Sequence, residues 1–246
     1  MNHDGLLLCA RYSSAPNFFG YCGPDENDNL IDHLKEKVAD KEVEVILSQF
    51  NTLFSYLKLI STENKIKDPF NQKVVEAYWI GNSLLDNIAN RDYVYLLQEK
   101  LDLAKKMDNI KFQKVKTKVL TTKFYPHHSF HVFNIFKRTG NLAVDHTLET
   151  MDQCRISFGK VKAQNSKLKS LMVATKTLEI NKNKLGLGES KLKQIKYDYK
   201  GKSFVNDLKI GDWVSFHWGF VCDVLTEQQV KNLEFYTQKA IDFYNL

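Results

Sequence analysis

The spacing of apolar residues changes near residue 150, and this change is the strongest constraint on the fold. Before it, apolar residues recur every three or four positions, as along residues 43–60, which predicts amphipathic helices. After it, short β-rich segments alternate with turn signals such as Asn181–Asn183 and Lys200-Gly201. We therefore expect an α+β protein, with a mostly helical domain over residues 1–150 and a small OB-like β-barrel plus a C-terminal helix over residues 151–246.

Local signals in the helical half predict where its elements begin and end. Pro16, Gly20 and Gly23-Pro24 are dense enough to predict a structured loop over residues 1–25. Asp68-Pro69 predicts a helix N-terminus, with Asp as the cap and Pro at the first position. Residues 111–123 are interpreted as a polar, basic connection.

The second half is expected to hold five short strands. Gly186-x-Gly188 is interpreted as a turn between them, and Thr226-Glu-Gln-Gln229 is a capping-box pattern that predicts the start of the C-terminal helix. The predicted strands cover Arg155–Val161, Leu171–Ile180, Gln194–Tyr199, Phe204–Leu208 and Asp212–Leu225.

Charge and cysteine usage narrow the class of protein. The net charge of +6 lies entirely in residues 151–246, because residues 1–150 contain 19 basic and 19 acidic side chains. Lys outnumbers Arg 31 to 4 and Asn is abundant, so codon bias explains most of this basicity and nucleic acid is not the expected partner. The chain has no long apolar run, no basic segment ahead of an apolar one at its start, and four widely spaced cysteines. These features predict a cytoplasmic protein with reduced thiols and no membrane association.

Two segments at opposite ends of the predicted barrel resemble a known family. Residues 211–220 read Gly-Asp-Trp-Val-Ser-Phe-His-Trp-Gly-Phe, and residues 154–161 read Cys-Arg-Ile-Ser-Phe-Gly-Lys-Val. Together they resemble the closing and opening motifs of small hydrogenase maturation chaperones of the HypC/HupF type, over about residues 154–244. A Cys and a His hold iron in those chaperones. The resemblance therefore implies an iron-binding pair, Cys154 and His217, close together at one barrel rim, and a hydrogenase-type client or maturation partner.

The whole chain also resembles an uncharacterised bacterial and archaeal family in which a helical unit precedes such a barrel. The residues that carry this resemblance are Ala10–Pro24, Val75–Asn82 and His127–Phe133. It groups the chain with that family and implies no activity.

A histidine cluster offers a different site. His127, His128 and His131 are three or four positions apart on a predicted helix, so a pair of them can converge on one metal or serve in acid–base chemistry. A further ligand would come from elsewhere, with Cys22, Glu76 and His146 as candidates.

Other residues are candidates for lining a pocket in the helical half. They are Arg11, Tyr12, Cys22, Glu76 and Trp79. Cys222 is expected to be a core residue.

Three hypotheses follow from these patterns. The first is a non-enzymatic accessory or maturation protein related to hydrogenase chaperones. The second is a metal-dependent or histidine-based enzyme with an enclosed polar pocket around the histidine cluster. The third is a nucleic-acid-binding barrel, which would combine cationic strands with stacking aromatics. Whether the protein is an enzyme stays open on the sequence alone.

Overall fold

The first half of the protein is helical. A computed structural model describes residues 3–24, 29–36, 39–135, 147–199, 201–203 and 205–246 of the chain. Short 3₁₀ and π turns at Ser83–Asn87 and Leu96–Lys100 connect some of the helices. The helices of this half are α1 (His3–Phe18), α2 (Asn29–Glu36), α3 (Lys41–Ser48), α4 (Asn51–Glu63), α5 (Gln72–Trp79), α6 (Asn90–Tyr95), α7 (Leu103–Lys106), α8 (Asn109–Thr121), α9 (His128–Asn134) and α10 (Leu148–Cys154).

The second half contains the strands and one long helix. The change from helix to strand falls between Cys154 and Ser157, close to the expected position. The division into domains at residue 150 stays a prediction. The elements are β1 (Ser157–Asn165), β2 (Ser170–Asn181), β3 (Lys184–Lys196), β4 (Asp198–Tyr199), β5 (Lys202–Ser203), β6 (Trp213–His217), β7 (Phe220–Leu225) and α11 (Glu227–Tyr244).

Five of these strands form one mixed sheet that closes on itself. The order is β1-β2-β3-β7-β6, and β1 also pairs with β6, so the sheet is a closed barrel. All neighbours are antiparallel except β3 and β7, which pair in parallel at Lys196 and Phe220. Alternating side chains of the strands fill the barrel with a small apolar core. That core consists of Val161, Leu171, Val173, Ile195, Tyr197, Val214, Phe216 and Val221.

The prediction of a loop over residues 1–25 is wrong for residues 3–18, which form a helix. Helix α1 runs from His3 to Phe18 and includes Pro16. Pro16 has no N–H to donate to the Tyr12 carbonyl, and that carbonyl accepts a hydrogen bond from His217 instead. The glycine-rich turn therefore begins after Phe18 and not before.

Two other predictions in the helical half need correction. Helix α5 begins at Gln72, because the Asn71 side chain accepts a hydrogen bond from the Lys73 N–H, while Asp68 accepts one from the Phe70 N–H in the preceding turn. The segment interpreted as a polar connection is helix α8. Although the segment is rich in lysine, three apolar residues at helical spacing form its buried face: Phe112, Val115 and Val119.

The strand predictions are also partly wrong. Gly186 and Gly188 lie inside β3, and the turn is formed by Lys182 and Asn183, whose φ angles are positive. No strand occupies the described residues 205–208, and Phe204 lies outside the described part of the chain.

The C-terminal helix begins as predicted. Thr226 and Gln229 form a reciprocal capping box at the start of α11.

The helical half and the barrel share buried contacts along α1. Arg11 forms an ion pair with Asp223 of β7 at 3.0 Å, and the Tyr12 hydroxyl hydrogen-bonds to the Ser215 hydroxyl of β6 at 2.7 Å. The larger apolar core runs from α1 through α5 and α9 to α11 and the barrel residues Phe220 and Cys222. The expectation that Cys222 is a core residue is confirmed, since its side chain is fully buried. None of the described helices is both long and apolar enough to cross a membrane.

Candidate metal centre

Three side chains from distant parts of the chain converge where the helices meet the barrel. They are His128 at the start of α9, Cys154 at the end of α10, and His217 at the end of β6. One donor atom from each residue lies within 4.8 Å of the other two. Both histidines are buried and Cys154 is half-buried. The sequence predicted the proximity of Cys154 and His217, and the structure adds His128 to them.

The imidazole of His217 is oriented by helix α1. Its Nδ1–H donates to the backbone carbonyl of Tyr12 at 2.7 Å, so the lone pair lies on Nε2. The Tyr12 carbonyl is four residues before Pro16, whose nitrogen has no hydrogen to donate, so the helix leaves this carbonyl without its usual backbone donor. Nε2 is buried and forms no hydrogen bond with any described residue, while the Cys154 backbone lies near the ring and partly offsets the fall in its pKa. Buried nitrogens of this kind are uncommon without a ligand.

Both ring nitrogens of His128 have partners. Nε2 lies 2.8 Å from the Cys154 carbonyl, which can only accept, so Nε2 carries the hydrogen. Nδ1 therefore accepts from the Tyr78 hydroxyl at 3.1 Å. A metal ion bound at Nδ1 would replace the Tyr78 hydroxyl and keep the Nε2–H bond to a carbonyl, and metal-ligating histidines commonly donate their other ring N–H in this way.

The C-terminal end of α10 holds Cys154 against the other two donors. The last carbonyls of a helix lack intrahelical partners. Here the Gln153 carbonyl accepts from the Trp218 N–H at 2.9 Å, and the Cys154 carbonyl accepts from His128. The helix end is thereby fixed to the residue after His217 and to α9.

Burial keeps both imidazoles neutral near pH 7. It lowers the pKa of His217 to about 4 and that of His128 well below its usual 6.5, with the nearby His217 lowering the latter further. Burial also raises the pKa of the Tyr78 hydroxyl well above 10, so this group stays protonated. Neutral imidazole is the form that binds metals.

A cavity of about 50 Å³ lies against the three donors. Its walls are largely apolar and include Phe50, Leu53, Trp79, Val132 and Trp218. A single water needs roughly 10–15 Å³ of such space. The cavity therefore has room for an ion and one or two small ligands but not for a bulky substrate.

The other two histidines of the predicted cluster are held in separate contacts. His127 caps α9, where its Nδ1 accepts from the Ser129 N–H and its Nε2 donates to the Trp79 carbonyl. His131 lines the cavity and hydrogen-bonds through Nδ1 to the Tyr56 hydroxyl at 3.0 Å. The sequence offered two pairs as possible metal ligands, His127 with His131 and His128 with His131. His128 and His131 both line the cavity, whereas His127 does not line it and caps its own helix.

Two of the predicted pocket residues are interface residues. Arg11 is paired with Asp223, and the Tyr12 side chain reaches Ser215, so neither lines the cavity. Tyr12 still contributes, because its backbone carbonyl orients His217.

The remaining pocket candidates divide between the cavity and the surface of α11. Cys22 and Trp79 line the cavity, and the Trp79 ring contacts both His128 and His217. Burial raises the pKa of the Cys22 thiol to about 11. Glu76 instead accepts a hydrogen bond from Gln229 at 3.1 Å and does not line the cavity. His146 lies outside the described residues.

The donor set suits a transition metal. Thiolate and imidazole together favour zinc, copper and iron over magnesium or calcium. The described residues contain another group with metal-ligand spacing, His33, Asp40 and Glu42. Those side chains are more exposed, and Asp40 already caps α3.

One family matches this sequence over its full extent. The model of a family of unknown function (DUF6390) matches residues 1–246. Comparison with curated proteins and with solved structures found no match.

Proposed function

The chain belongs to this family of unknown function, so we propose its function from the site itself. The protein binds one transition-metal ion through His128, Cys154 and His217 and acts as an accessory protein. The observation that carries the proposal is the convergence of the three donors within 4.8 Å, with the His217 Nε2 buried and without a hydrogen-bond partner among the residues that the structure describes. A bound ion would supply that partner and would accept the Cys154 thiolate.

The resemblance to HypC/HupF-type chaperones supports a maturation role with iron as the ion. Its two motifs supply Cys154 and His217, which lie together. The strand order and the closure of β1 onto β6 are compatible with an OB-like barrel, and a C-terminal helix follows it. A hydrogenase-type client is the partner that this reading proposes. His128 belongs to the helical half, so in this chain the helical half would contribute a third ligand to a pair taken from the barrel.

Metal content of the purified protein tests the proposal. Anaerobic purification followed by elemental analysis is expected to give about one metal per chain, with iron as the main element under the maturation reading. The variants Cys154→Ser and His217→Gln are expected to lose at least ten-fold in metal affinity, because each removes a donor. His3→Gln is the matched control, since His3 is exposed and far along the chain from the site. Equal metal content in wild type, control and both site variants would contradict the proposal.

An enzyme is the second candidate function, and the geometry of His217 favours it. A neutral imidazole whose Nδ1–H is fixed by a carbonyl, with its Nε2 lone pair near a thiol, is the arrangement that activates a cysteine nucleophile. If Cys154 is such a nucleophile, metal-free protein will react with iodoacetamide at this residue faster than a free cysteine does. His217→Gln is expected to abolish that advantage, and a slow reaction at Cys154 in metal-free wild type would remove this candidate.

The structure gives little support to the nucleic-acid hypothesis. Among the aromatics between the lysines of the barrel, Tyr197 is buried in the barrel core and Tyr199 packs against Phe18. Stacking on bases needs exposed rings. We therefore retain metal binding as the proposal.

A further inference from the structure

The cavity that holds the three donors also contains a second thiol. Cys22 lines it together with Cys154, and neither forms a disulfide in the described structure. Cys22 is not among the residues whose donor atoms lie within 4.8 Å of one another. The two thiols thus share one cavity without being in one cluster.

The charge of a bound divalent ion would not be balanced by the three donors. One thiolate from Cys154 and two neutral imidazoles leave a net charge of +1. Among the described residues, the cavity lining contains no carboxylate, and its remaining polar side chains include the hydroxyls of Ser13 and Thr52. An uncompensated charge in an apolar site costs several kcal/mol or more. A second thiolate would cancel it.

An unpartnered group in the same cavity independently indicates a ligand. The His217 side chain lines the cavity, is only 2% exposed, and its Nε2 has no hydrogen-bond partner in the described part of the chain. Four-coordinate zinc in structural sites takes four protein donors, whereas the cluster supplies three. The described lining holds two further side chains that can bind a metal, His131 and Cys22. His131 is neutral as a ligand and already hydrogen-bonds to the Tyr56 hydroxyl, whereas a Cys22 thiolate would also balance the charge.

The segment that carries Cys22 is anchored on both sides. Gly20 and Gly23 have φ angles of +67° and +89°, which the turn requires. The Asn17 side-chain amide donates to the carbonyls of Cys22 and Pro24. This anchoring keeps Cys22 at the cavity, so a rotation of its side chain or a small shift of the turn is enough to move Sγ.

We propose that Cys22 is the fourth ligand of the metal centre. Binding of a divalent ion draws the Cys22 Sγ towards Cys154, both thiols release their protons to solvent, and a closed site of two histidines and two cysteines forms. This inference rests on the proposed function. It assigns the protein to holding or carrying a metal, since a site with four protein ligands leaves no open position for a substrate.

X-ray absorption of the zinc-loaded wild-type protein tests the inference without any substitution. Metal-free protein loaded with one equivalent of Zn²⁺ is expected to show two sulfur neighbours at ~2.3 Å and two nitrogens at ~2.0–2.1 Å. In Cys22→Ser the expected shell has one sulfur. Cys222→Ala is the control and is expected to retain two, because Cys222 is a buried core residue that does not line the cavity.

The outcomes separate this inference from the function on which it rests. One sulfur in the shell of wild-type protein would overturn the role of Cys22 while leaving metal binding intact. Failure of the wild-type protein to retain Zn²⁺ or iron would remove the metal centre itself. Two sulfurs in wild type and one in Cys22→Ser support the four-ligand site.

Discussion

Replacing His217 by Phe separates a ligand role from a packing role. Phe keeps a flat ring beside Trp79 but has neither ring nitrogen. In metal-free protein, the buried Tyr12 carbonyl would lose its 2.7 Å donor, at a cost of ~1–3 kcal/mol. Removal of the unpartnered Nε2 offsets part of that cost. We therefore expect the free energy of unfolding of metal-free protein to fall by ~1–2 kcal/mol.

Metal changes the comparison. At a free metal concentration of 100 times Kd, a ligand that binds only the folded state stabilises it by ~2.7 kcal/mol. For a chain of this size, 1 kcal/mol corresponds to about 2–4 °C in Tm. Wild-type Tm is therefore expected to rise by ~5–11 °C on metal addition, from these two relations. The rise in His217→Phe is expected to be less than half of that, because one donor is gone.

Thermal unfolding with and without metal measures both the loss of stability in metal-free protein and the rise in Tm on metal addition. His127→Phe is the matched control, because His127 is an equally buried histidine of the same region that caps α9 and is not one of the three donors. It should lower Tm in both conditions and leave the metal-induced rise unchanged. The reasoning is refuted if His217→Phe and wild type show the same rise.

Three further changes test other parts of the structure. Pro16→Ala restores an N–H that competes with His217 for the Tyr12 carbonyl, so Tm is expected to rise. Metal affinity, measured by competition with a chelator, is expected to fall by up to ~10-fold. An unchanged affinity would argue against a role of the Tyr12 carbonyl in orienting His217. Gly81→Ala places a Cβ 2.0 Å from the Tyr236 ring, at a backbone φ of +97°. The backbone strain alone is expected to lower the free energy of unfolding, measured in urea, by at least ~1–2 kcal/mol. A variant as stable as wild type would show that the turn relaxes freely. Burial raises the pKa of Tyr93 well above 10, so its hydroxyl ionises at lower pH in the unfolded chain than in the folded one. The free energy of unfolding should therefore fall as pH rises above ~10, at up to ~1.4 kcal/mol per pH unit. In urea unfolding at pH 9–11, Tyr93→Phe should show a shallower decline.

Periodic patterns predict most of the helices and strands, but where an element begins depends on which of several possible capping residues the packed structure uses. The capping box at Thr226 was readable because both partners lie within four residues. The start of α5 was placed at Asp68-Pro69 because two short polar residues, Asp68 and Asn71, can each serve as a cap, and only the surrounding packing selects Asn71. The helix through Pro16 was missed for the same reason: proline disfavours a helix locally, while burial of the α1 side chains favours it.

For the proposed site, the motif resemblance points to Cys154 and His217, and the spacing of the histidine cluster points to His128 without indicating that it lies beside them. His128 was grouped with His127 and His131 because they are neighbours in sequence. Their side chains diverge in the structure: His127 binds the Trp79 carbonyl, while His128 faces the Cys154 carbonyl. No signal within the segment 127–131 indicates which ring meets the barrel.

Sequence patterns predict most of the helices, the helix-to-strand change near residue 150 and the capping box at Thr226. These depend on short-range spacing, which backbone geometry translates directly into helix or strand. Only the tertiary structure decided that α9, the end of α10 and β6 meet at one cavity with Cys22 beside them. Cavity residues separated by up to 195 positions, from Cys22 to His217, are brought together by the burial of apolar faces, and that burial is a property of the packed chain as a whole.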